Sequence, residues 1–306
     1  MSRPVPAWRP PPRDGVGASA VALPHGPWPT VLACLAWRLP KVALADWAQR
    51  MARGEVLDEG GQPVPPDAPH RPGERLWYWR TLPDEPVVPF AHELLFVDEQ
   101  LVVVDKPHFL AMTPKGRYAR ETLLARLQRE LGLDTLVPIH RLDRETAGVV
   151  VFSLRPADRN AYQSLFRERA VEKVYEAVVR DVPGLALPLT RRSRLAPCEQ
   201  QFMVVREVPG EPNAVSEVER LAVRDGLALL RLRPHTGQTH QLRVHLTALG
   251  MPILGDRIYP VLQAEPPAGQ APDYSAPLQL LARSIRFTDP VTGQTRHFLS
   301  RRQLAF

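Results

Sequence analysis

The segment PIHRLDRETAGVVVFS, residues 138–153, joins a charged loop to an apolar strand pattern. In its first half Asp143 lies between Arg141 and Arg144, and its second half, GVVVFS, is a continuous apolar run. Such a run is typical of a strand that is buried on both faces. A carboxylate between two arginines at the mouth of a sheet suits a nucleophile or an electrostatic stabiliser. A salt-bridged turn that leads into the strand is the alternative interpretation of the same residues.

Residues 90–306 around this segment are predicted to form one large domain. LLFVDEQLVVVDKP at 94–107 has the two apolar runs and the polar turn of a hairpin. Helices are predicted near 121–131 and 156–167, with strand patterns before and after them. Because strands and helices do not follow a regular β–α–β rhythm, we predict an α+β fold with a mixed, mainly antiparallel sheet and flanking helices.

The front of the chain divides into three predicted segments. Residues 1–29 are expected to be a flexible tail, because their repeated prolines supply neither N–H donors nor an apolar periodicity. Residues 30–82 are expected to form a small α/β module, since two helical patterns are followed by two short strand patterns. PDEPVVP at 83–89 has the composition of a linker to the large domain.

The composition limits the classes of protein that the chain can represent. Lys and Arg total 39 against 33 Asp and Glu, and the formal charge of +6 mildly favours a polyanionic partner. Cys34 and Cys198 lie in unrelated segments, so we predict no disulfide framework, no structural zinc and a reducing cytoplasm. The apolar run at 31–37 is too short to span a membrane and is followed by Arg38, so no membrane segment is predicted.

Three histidines in the segment 232–260 could be taken for a metal site. His235, His240 and His245 are spaced five residues apart, which turns successive imidazoles away from one helical face. Ligand pairs on a helix are instead four residues apart. We therefore predict no metal site, and a metal-dependent hydrolase is kept only as an alternative.

Two further polar side chains have positions that a simple core would not require. Arg243 follows Thr239 by four residues, so both are expected to point from one helix into the same cleft, although a solvated arginine is the commoner case. Tyr175 lies in the strand pattern EKVYEAVV at 172–179, where a packed tyrosine with a polar tip is the simpler interpretation.

Four stretches of the chain, in their order, resemble the motifs of the RluA-type pseudouridine synthases. These stretches are KPHFLAMTP (106–114), HRLDRETAG (140–148), KVYEAVV (173–179) and HTGQTHQLRVHLTALGMPILGD (235–256). The resemblance covers about residues 90–306. Ala147 stands where the family often has serine, and Gln238 where it often has arginine. The module at 30–82 resembles a degenerate S-four-like RNA-binding domain.

The resemblance implies an isomerase that converts uridine in RNA to pseudouridine without a cofactor or a metal. Asp143 would act at the ribose, either by attack on the anomeric carbon or by removal of a ribose proton. Arg243 would hold Asp143 through a charge-assisted bidentate contact. Tyr175 would lie against the detached base and help to remove the proton from its carbon 5.

The resemblance also implies a central RNA-binding cleft and a set of residues that line it. Arg141 would fill the space that the extruded uridine leaves in the stack. The other residues expected to bind RNA are Lys106, His140, Arg144, Thr239 and His240. The expected partner is ribosomal or transfer RNA, and a cytoplasmic monomer is expected. A catalytically silent RNA-binding protein with the same fold is the alternative.

Overall fold

The computed structural model of this chain describes residues 8–80, 85–201, 203–264, 270 and 272–306. Contacts divide the chain into two compact units. The first unit consists of Met1–Glu85, Gly116–Arg120 and Ala125–Asp134, and the second of Pro86–Lys115, Glu121–Leu124 and Thr135–Phe306. No helix within the described ranges is both long enough and apolar enough to cross a membrane.

The first unit contains two helices and a three-stranded antiparallel sheet with the strand order β1-β3-β2. In chain order these elements are β1 (Ser19–Ala22), α1 (Val31–Arg38), α2 (Leu44–Ala52), β2 (Val56–Leu57) and β3 (Arg75–Tyr78). The Thr30 hydroxyl accepts a hydrogen bond from the Ala33 amide and so caps α1. Trp47 and Leu35 are completely buried between the helices and this sheet. The two helices and two strands predicted between residues 30 and 82 are therefore present.

The prediction of a flexible tail over residues 1–29 is wrong for the part that the structure describes. Ser19–Ala22 pairs with β3, and Val21 and Leu23 are buried in the core of the first unit. The proline-rich composition concealed this strand, because its apolar side chains acquire a core only when the distant β3 lies beside them. The predicted linker at 83–89 lies partly outside the described residues, and Val88 within it is buried.

The second unit is built on a sheet of eleven strands, as counted over the described part of the chain. These strands are β4 (Glu93–Val97), β5 (Leu101–Lys106), β6 (Val137–Pro138), β7 (Ala147–Ser153), β8 (Val171–Arg180), β9 (Leu189–Pro197), β10 (Val205–Val208), β11 (Ala214–Arg224), β12 (Leu227–Pro234), β13 (Leu280–Thr288) and β14 (Thr295–Leu299). The remaining helices are α3 (Leu123–Leu131), which includes residues of both units, α4 (Arg159–Arg167), which a 3₁₀ turn at Pro156–Asp158 precedes, and α5 (Gln241–Ala248).

The sheet is mixed and mainly antiparallel, which confirms the predicted fold class. Its strand order is β10-β9-β11-β12-β8-β13-β7-β5-β4, with β6 added on β7 and β14 on β13. Only the pair β7/β13 is parallel among the strand pairs of the described residues. Gly148 lies at that pair with a φ of +115°, and a Cβ atom there would lie 2.3 Å from the Ala282 carbonyl oxygen. The close approach of β7 and β13 therefore requires glycine directly after the Asp143 loop.

One face of the sheet positions the helix that carries Arg243. Leu230 and Leu232 of β12 pack against Leu242 and Leu246 of α5, and all four side chains are buried. Burial of such side chains contributes roughly 1.5–3 kcal/mol each. The helix is thereby fixed on the sheet, which sets the direction of its polar side chains.

Candidate active site

The loop between β6 and β7 carries Asp143. Lys106 of β5 donates a hydrogen bond to this loop, at the Arg144 carbonyl oxygen. The Lys106 ammonium is completely buried and donates to the carbonyl oxygens of Pro107 at 3.0 Å, Leu110 at 2.9 Å and Arg144 at 3.0 Å. Three N–H groups are available only in the ammonium form, so the protonated side chain matches its three acceptors. The prediction that Lys106 binds RNA is wrong for this structure, because no part of the side chain is exposed.

Burial lowers the pKa of the Lys106 ammonium to about 7, while the charges of Glu145 and Asp143 act in the opposite direction. Lysine in the unfolded chain keeps its ordinary pKa of 10.5. Between these values the unfolded chain binds more protons than the folded protein, so the stability of the protein should rise with pH across this window.

We expect the wild type to gain stability relative to a Lys106→Met variant as the pH rises from about 7 to about 10. Methionine cannot titrate, so the difference between the two unfolding free energies isolates the lysine. Urea titrations of both proteins at about pH 6 and about pH 9 should show a gain on the order of 2 kcal/mol. A difference that stays constant with pH would show that the ammonium does not lose its proton in the folded protein.

His140 holds the start of the same loop rather than an RNA chain. Its Nε2 atom accepts a hydrogen bond from the Val151 amide of β7 at 3.1 Å, and its ring stacks on Phe166 with centroids 5.0 Å apart. Burial, together with the Lys173 charge, lowers the pKa of His140 to about 3. The imidazole is therefore neutral at physiological pH, and it offers no positive charge to a phosphate.

Arg243 is almost completely buried and lies between two carboxylates. Its Nε and Nη2 atoms donate to Asp256 at 2.8 and 2.6 Å, and its Nη1 atom donates to Asp143 Oδ2 at 3.3 Å. Burial alone would lower the pKa of Arg243, but the Asp256 and Asp143 carboxylates outweigh this effect and raise it. The predicted bidentate contact therefore exists, but its partner is Asp256 and not Asp143. The prediction missed this because Asp256 follows α5 and reaches Arg243 only in the folded chain.

Asp143 differs from Asp256 in its access to solvent. The side chain of Asp143 is 34% exposed, whereas that of Asp256 is 1% exposed and also accepts the amides of Ile258 and Tyr259. Asp256 is thus an anchor for Arg243, and Arg243 in turn orients one oxygen of Asp143. The second Asp143 oxygen makes no hydrogen bond within the described chain, so the carboxylate is open to a substrate. Such a carboxylate can attack an electrophilic carbon or take up a proton.

Tyr175 lies on β8, opposite Leu232 of β12 and Ala282 of β13. Burial and the negative charge of Asp143 raise the pKa of the Tyr175 phenol well above its usual value. The phenol therefore keeps its proton at neutral pH, which favours packing or hydrogen-bond donation over the predicted removal of a proton. The charge of Asp143 acts on this phenol, and the role of Tyr175 beside the detached base stays a prediction.

His240 precedes α5 and adopts a positive φ of 54°. Its Nδ1 atom lies 3.0 Å from the Tyr259 hydroxyl, and its Nε2 atom lies 3.8 Å from Asp143 Oδ2. Thr239 is exposed in the turn before the helix, so the prediction that Thr239 and Arg243 share one helix is wrong. The prediction began the helix two residues too early, because it did not foresee the left-handed backbone at His240.

The remaining predicted RNA contacts have different environments. Arg141 is exposed and makes no hydrogen bond or ion pair with other described residues. Arg144 pairs with the carboxylate of its neighbour Glu145 at 2.7 Å. Arg141 is thus available to a partner beside Asp143, whereas Arg144 already has an acidic neighbour.

The three histidines of the segment 232–260 have separate partners. His235 lies 2.7 Å from Glu217, and His245 lies between the Ser193 and Ser216 hydroxyls. Burial lowers the pKa of His245 to about 4, so it is neutral at physiological pH. Since the rings do not converge, this arrangement gives no support to a metal-dependent hydrolase.

The structure therefore brings Asp143, Tyr175, His240 and Arg243 to one site in the second unit. Sequence reasoning missed Asp256 and Tyr259, although both lie in the stretch GDRIYP at 255–260. A signal was present in the sequence, because an arginine that is expected to point into a cleft has five N–H donors, more than a single contact with Asp143 can use.

Comparison with known proteins identifies the family of the chain. Residues 100–248 match the sequence profile of the family described as RNA pseudouridylate synthase. The chain is 33% identical over 220 residues to the dual-specificity RNA pseudouridine synthase RluA of Haemophilus influenzae, which is 70% of this chain and 94% of that protein. It is 31% identical over 215 residues to an uncharacterized RNA pseudouridine synthase of Synechocystis sp., which is 70% of this chain and 73% of that protein.

Two solved human structures have a similar fold. The protein named RNA pseudouridylate synthase domain containing 4 has a TM-score of 0.53 and 26% identity, over 69% of this chain and 88% of that chain. The protein named RNA pseudouridylate synthase domain containing 1 has a TM-score of 0.56 and 21% identity, over 71% and 86%. These findings confirm the resemblance that the four motifs predicted, while the S-four-like character of residues 30–82 stays a prediction.

Proposed function

Because the chain belongs to the RNA pseudouridylate synthase family, we propose that Asp143 is the carboxylate with which it isomerises uridine in ribosomal or transfer RNA. The protein is an RNA pseudouridine synthase and thus an isomerase. The observation that carries the assignment of Asp143 is its partly exposed carboxylate, 3.3 Å from the buried guanidinium of Arg243. The intact pair also speaks against a catalytically silent RNA-binding protein.

The reaction breaks the bond from the ribose anomeric carbon to a ring nitrogen and forms a bond from that carbon to carbon 5 of uracil. Carbon 5 loses one proton and the released nitrogen gains one, so nothing is oxidised or reduced. In our proposal Asp143 acts at the sugar, by attack on the anomeric carbon or by removal of a ribose proton. Arg243 orients the Asp143 carboxylate, and Asp256 in turn fixes the guanidinium through two hydrogen bonds.

Other side chains of the site would hold the RNA. Arg141, which is exposed beside Asp143, would occupy the gap that the extruded uridine leaves. Tyr175 would pack against the detached uracil, and its protonated phenol can donate a hydrogen bond to it. Thr239 and Arg144 at the same site would contact the backbone of the RNA.

The identity of the RNA and the setting of the reaction are part of the proposal. The Haemophilus influenzae relative is named a dual-specificity enzyme. We therefore propose that the substrate is ribosomal RNA, transfer RNA or both, and both classes are tested. The formal charge of +6 favours binding to either polyanion. We propose a monomer that acts in the cytoplasm without cofactor or metal, with residues 90–306 as the catalytic domain and residues 30–82 as an S-four-like module.

Release of tritium from carbon 5 of uridine tests the proposed function. The full-length protein, without added metal, is incubated with unmodified ribosomal RNA and with unmodified transfer RNA that carry tritium at this carbon. We expect release to water from at least one of them, because the new bond replaces the hydrogen at carbon 5. The same RNA labelled at carbon 6 is the matched control and should retain its tritium. Release from neither RNA would contradict the proposal.

A further inference from the structure

The hydroxyl of Tyr259 determines where the proton of His240 lies. This hydroxyl is 3.0 Å from the Val205 carbonyl oxygen and 2.8 Å from the Val205 amide nitrogen. In the β9/β10 ladder Cys198 donates to Val204, so the next pair, Val205 and Pro197, is one without mutual hydrogen bonds, and the Val205 carbonyl points away from β9 at the edge of the sheet. Val205 is buried, so its carbonyl oxygen needs the Tyr259 proton as its donor. The Tyr259 oxygen is then left with acceptor capacity only.

His240 must therefore donate from Nδ1 to the Tyr259 oxygen, which lies 3.0 Å away. A neutral imidazole with its proton on Nδ1 has a free lone pair on Nε2. The four charged groups that act on this ring are Asp143, Arg243, Asp256 and Lys115. Burial, the largest effect, lowers the pKa of His240 and so favours this neutral form.

Two hydrogen-bond acceptors consequently face the same space. The Nε2 lone pair and Asp143 Oδ2 are 3.8 Å apart, and the His240 side chain is 12% exposed. Neither atom can donate to the other, so the space between them fits a ligand atom that carries a hydrogen. Solvent reaches this space from the side of Asp143, whose side chain is 34% exposed.

We propose that Nε2 of His240 accepts a hydrogen bond from the 2′-hydroxyl of the target nucleotide. This inference rests on the proposed function, in which Asp143 acts at the ribose. The 2′-hydroxyl is attached to the carbon next to the anomeric carbon, so a sugar in reach of Asp143 presents this hydroxyl to His240. The hydrogen bond orients the sugar toward the carboxylate, and it distinguishes ribose from deoxyribose at the reacting nucleotide.

Two substitutions at position 240 separate the roles of the two ring nitrogens. In His240→Asn the amide nitrogen can occupy the place of Nδ1 and donate to Tyr259, and asparagine tolerates the positive φ, but no atom reaches the place of Nε2. In His240→Gln the longer amide places an oxygen near the position of Nε2, where it can accept the 2′-hydroxyl. Thermal unfolding of both variants establishes that they fold.

The experiment measures single-turnover rates on the RNA from which the wild type releases tritium, prepared with uridine or 2′-deoxyuridine at the target. Loss of the 2′-hydroxyl should slow the wild type by roughly tenfold to a hundredfold, as expected for one lost hydrogen bond in a buried site. His240→Asn should slow the uridine reaction by a similar factor and reduce the deoxyuridine penalty to less than about threefold. In His240→Gln the rate penalty for deoxyuridine should be larger than in His240→Asn and smaller than in the wild type.

Two results would overturn the inference in different ways. If the wild type converts uridine but all three proteins show the same deoxyuridine penalty, the 2′-hydroxyl does not bind to His240, although the proposed function stands. If the wild type converts no uridine in either RNA, the proposed function fails and this inference fails with it. A purely structural role of His240 would lower activity without changing the ratio between the two substrates.

Discussion

Asp143→Asn is expected to lower pseudouridine formation by about 10⁴-fold or more, because asparagine is too weak a nucleophile and base to act at the ribose. The side chains have the same shape, so the RNA can still be bound. Removal of one negative charge beside the RNA should leave the affinity unchanged or raise it. Single-turnover assays with excess protein, together with a binding titration, separate the chemical step from binding.

The fold should survive this substitution. Arg243 keeps its two hydrogen bonds to Asp256, and Asp143 contributes one contact of 3.3 Å from a partly exposed position. The free energy of unfolding should therefore change by no more than about 1 kcal/mol. Asp273→Asn is the matched control, since this aspartate is largely exposed and pairs with Arg257 at 3.1 Å. An Asp143→Asn variant with more than about a tenth of wild-type activity would contradict the assignment.

Asp256→Asn should affect stability and activity together. The pair of Asp256 and Arg243 is buried, with side chains that are 1% and 2% exposed. Neutralising Asp256 leaves the buried Arg243 guanidinium with only its 3.3 Å contact to Asp143, and breaking such a buried pair costs about 3–5 kcal/mol. Asparagine also places an NH₂ group where one of the two carboxylate oxygens was. In either orientation this donor faces other donors, which are Nε of Arg243 at one position, and Nη2 of Arg243 with the Ile258 and Tyr259 amides at the other. Urea titration measures the loss of stability.

Activity of Asp256→Asn should fall by about 10²-fold or more at temperatures where the variant remains folded, because Arg243 no longer holds Asp143 in one direction. The double variant Asp256→Leu/Arg243→Met removes both buried charges and should recover part of the lost stability, while the Ile258 and Tyr259 amides still lack their acceptor. It should remain as inactive as Asp256→Asn. If Asp256→Asn has normal stability and a normal rate, Arg243 does not depend on Asp256 for its position.

Local patterns in the sequence contained much of the fold. The apolar runs at 101–104 and 149–152 predicted the central strands β5 and β7, and the predicted helices near 121–131 and 156–167 are present as α3 and as the 3₁₀ turn with α4. These elements depend on neighbouring residues, so their spacing alone indicates them. The strand at Ser19–Ala22 was missed because its stability depends on pairing with Arg75–Tyr78, far along the chain.

The sequence by itself determined the family, the mainly antiparallel α+β fold and the proposed role of Asp143, since each is encoded in short stretches of neighbouring residues. Only the tertiary structure decided which side chains meet: Arg243 and Asp143 are 100 positions apart, and Asp256 rather than Asp143 takes the bidentate contact. It also decided that Lys106 is buried beneath the Asp143 loop. Burial and long-range contacts are set by the packing of the whole second unit, and no local spacing of charged residues reports them.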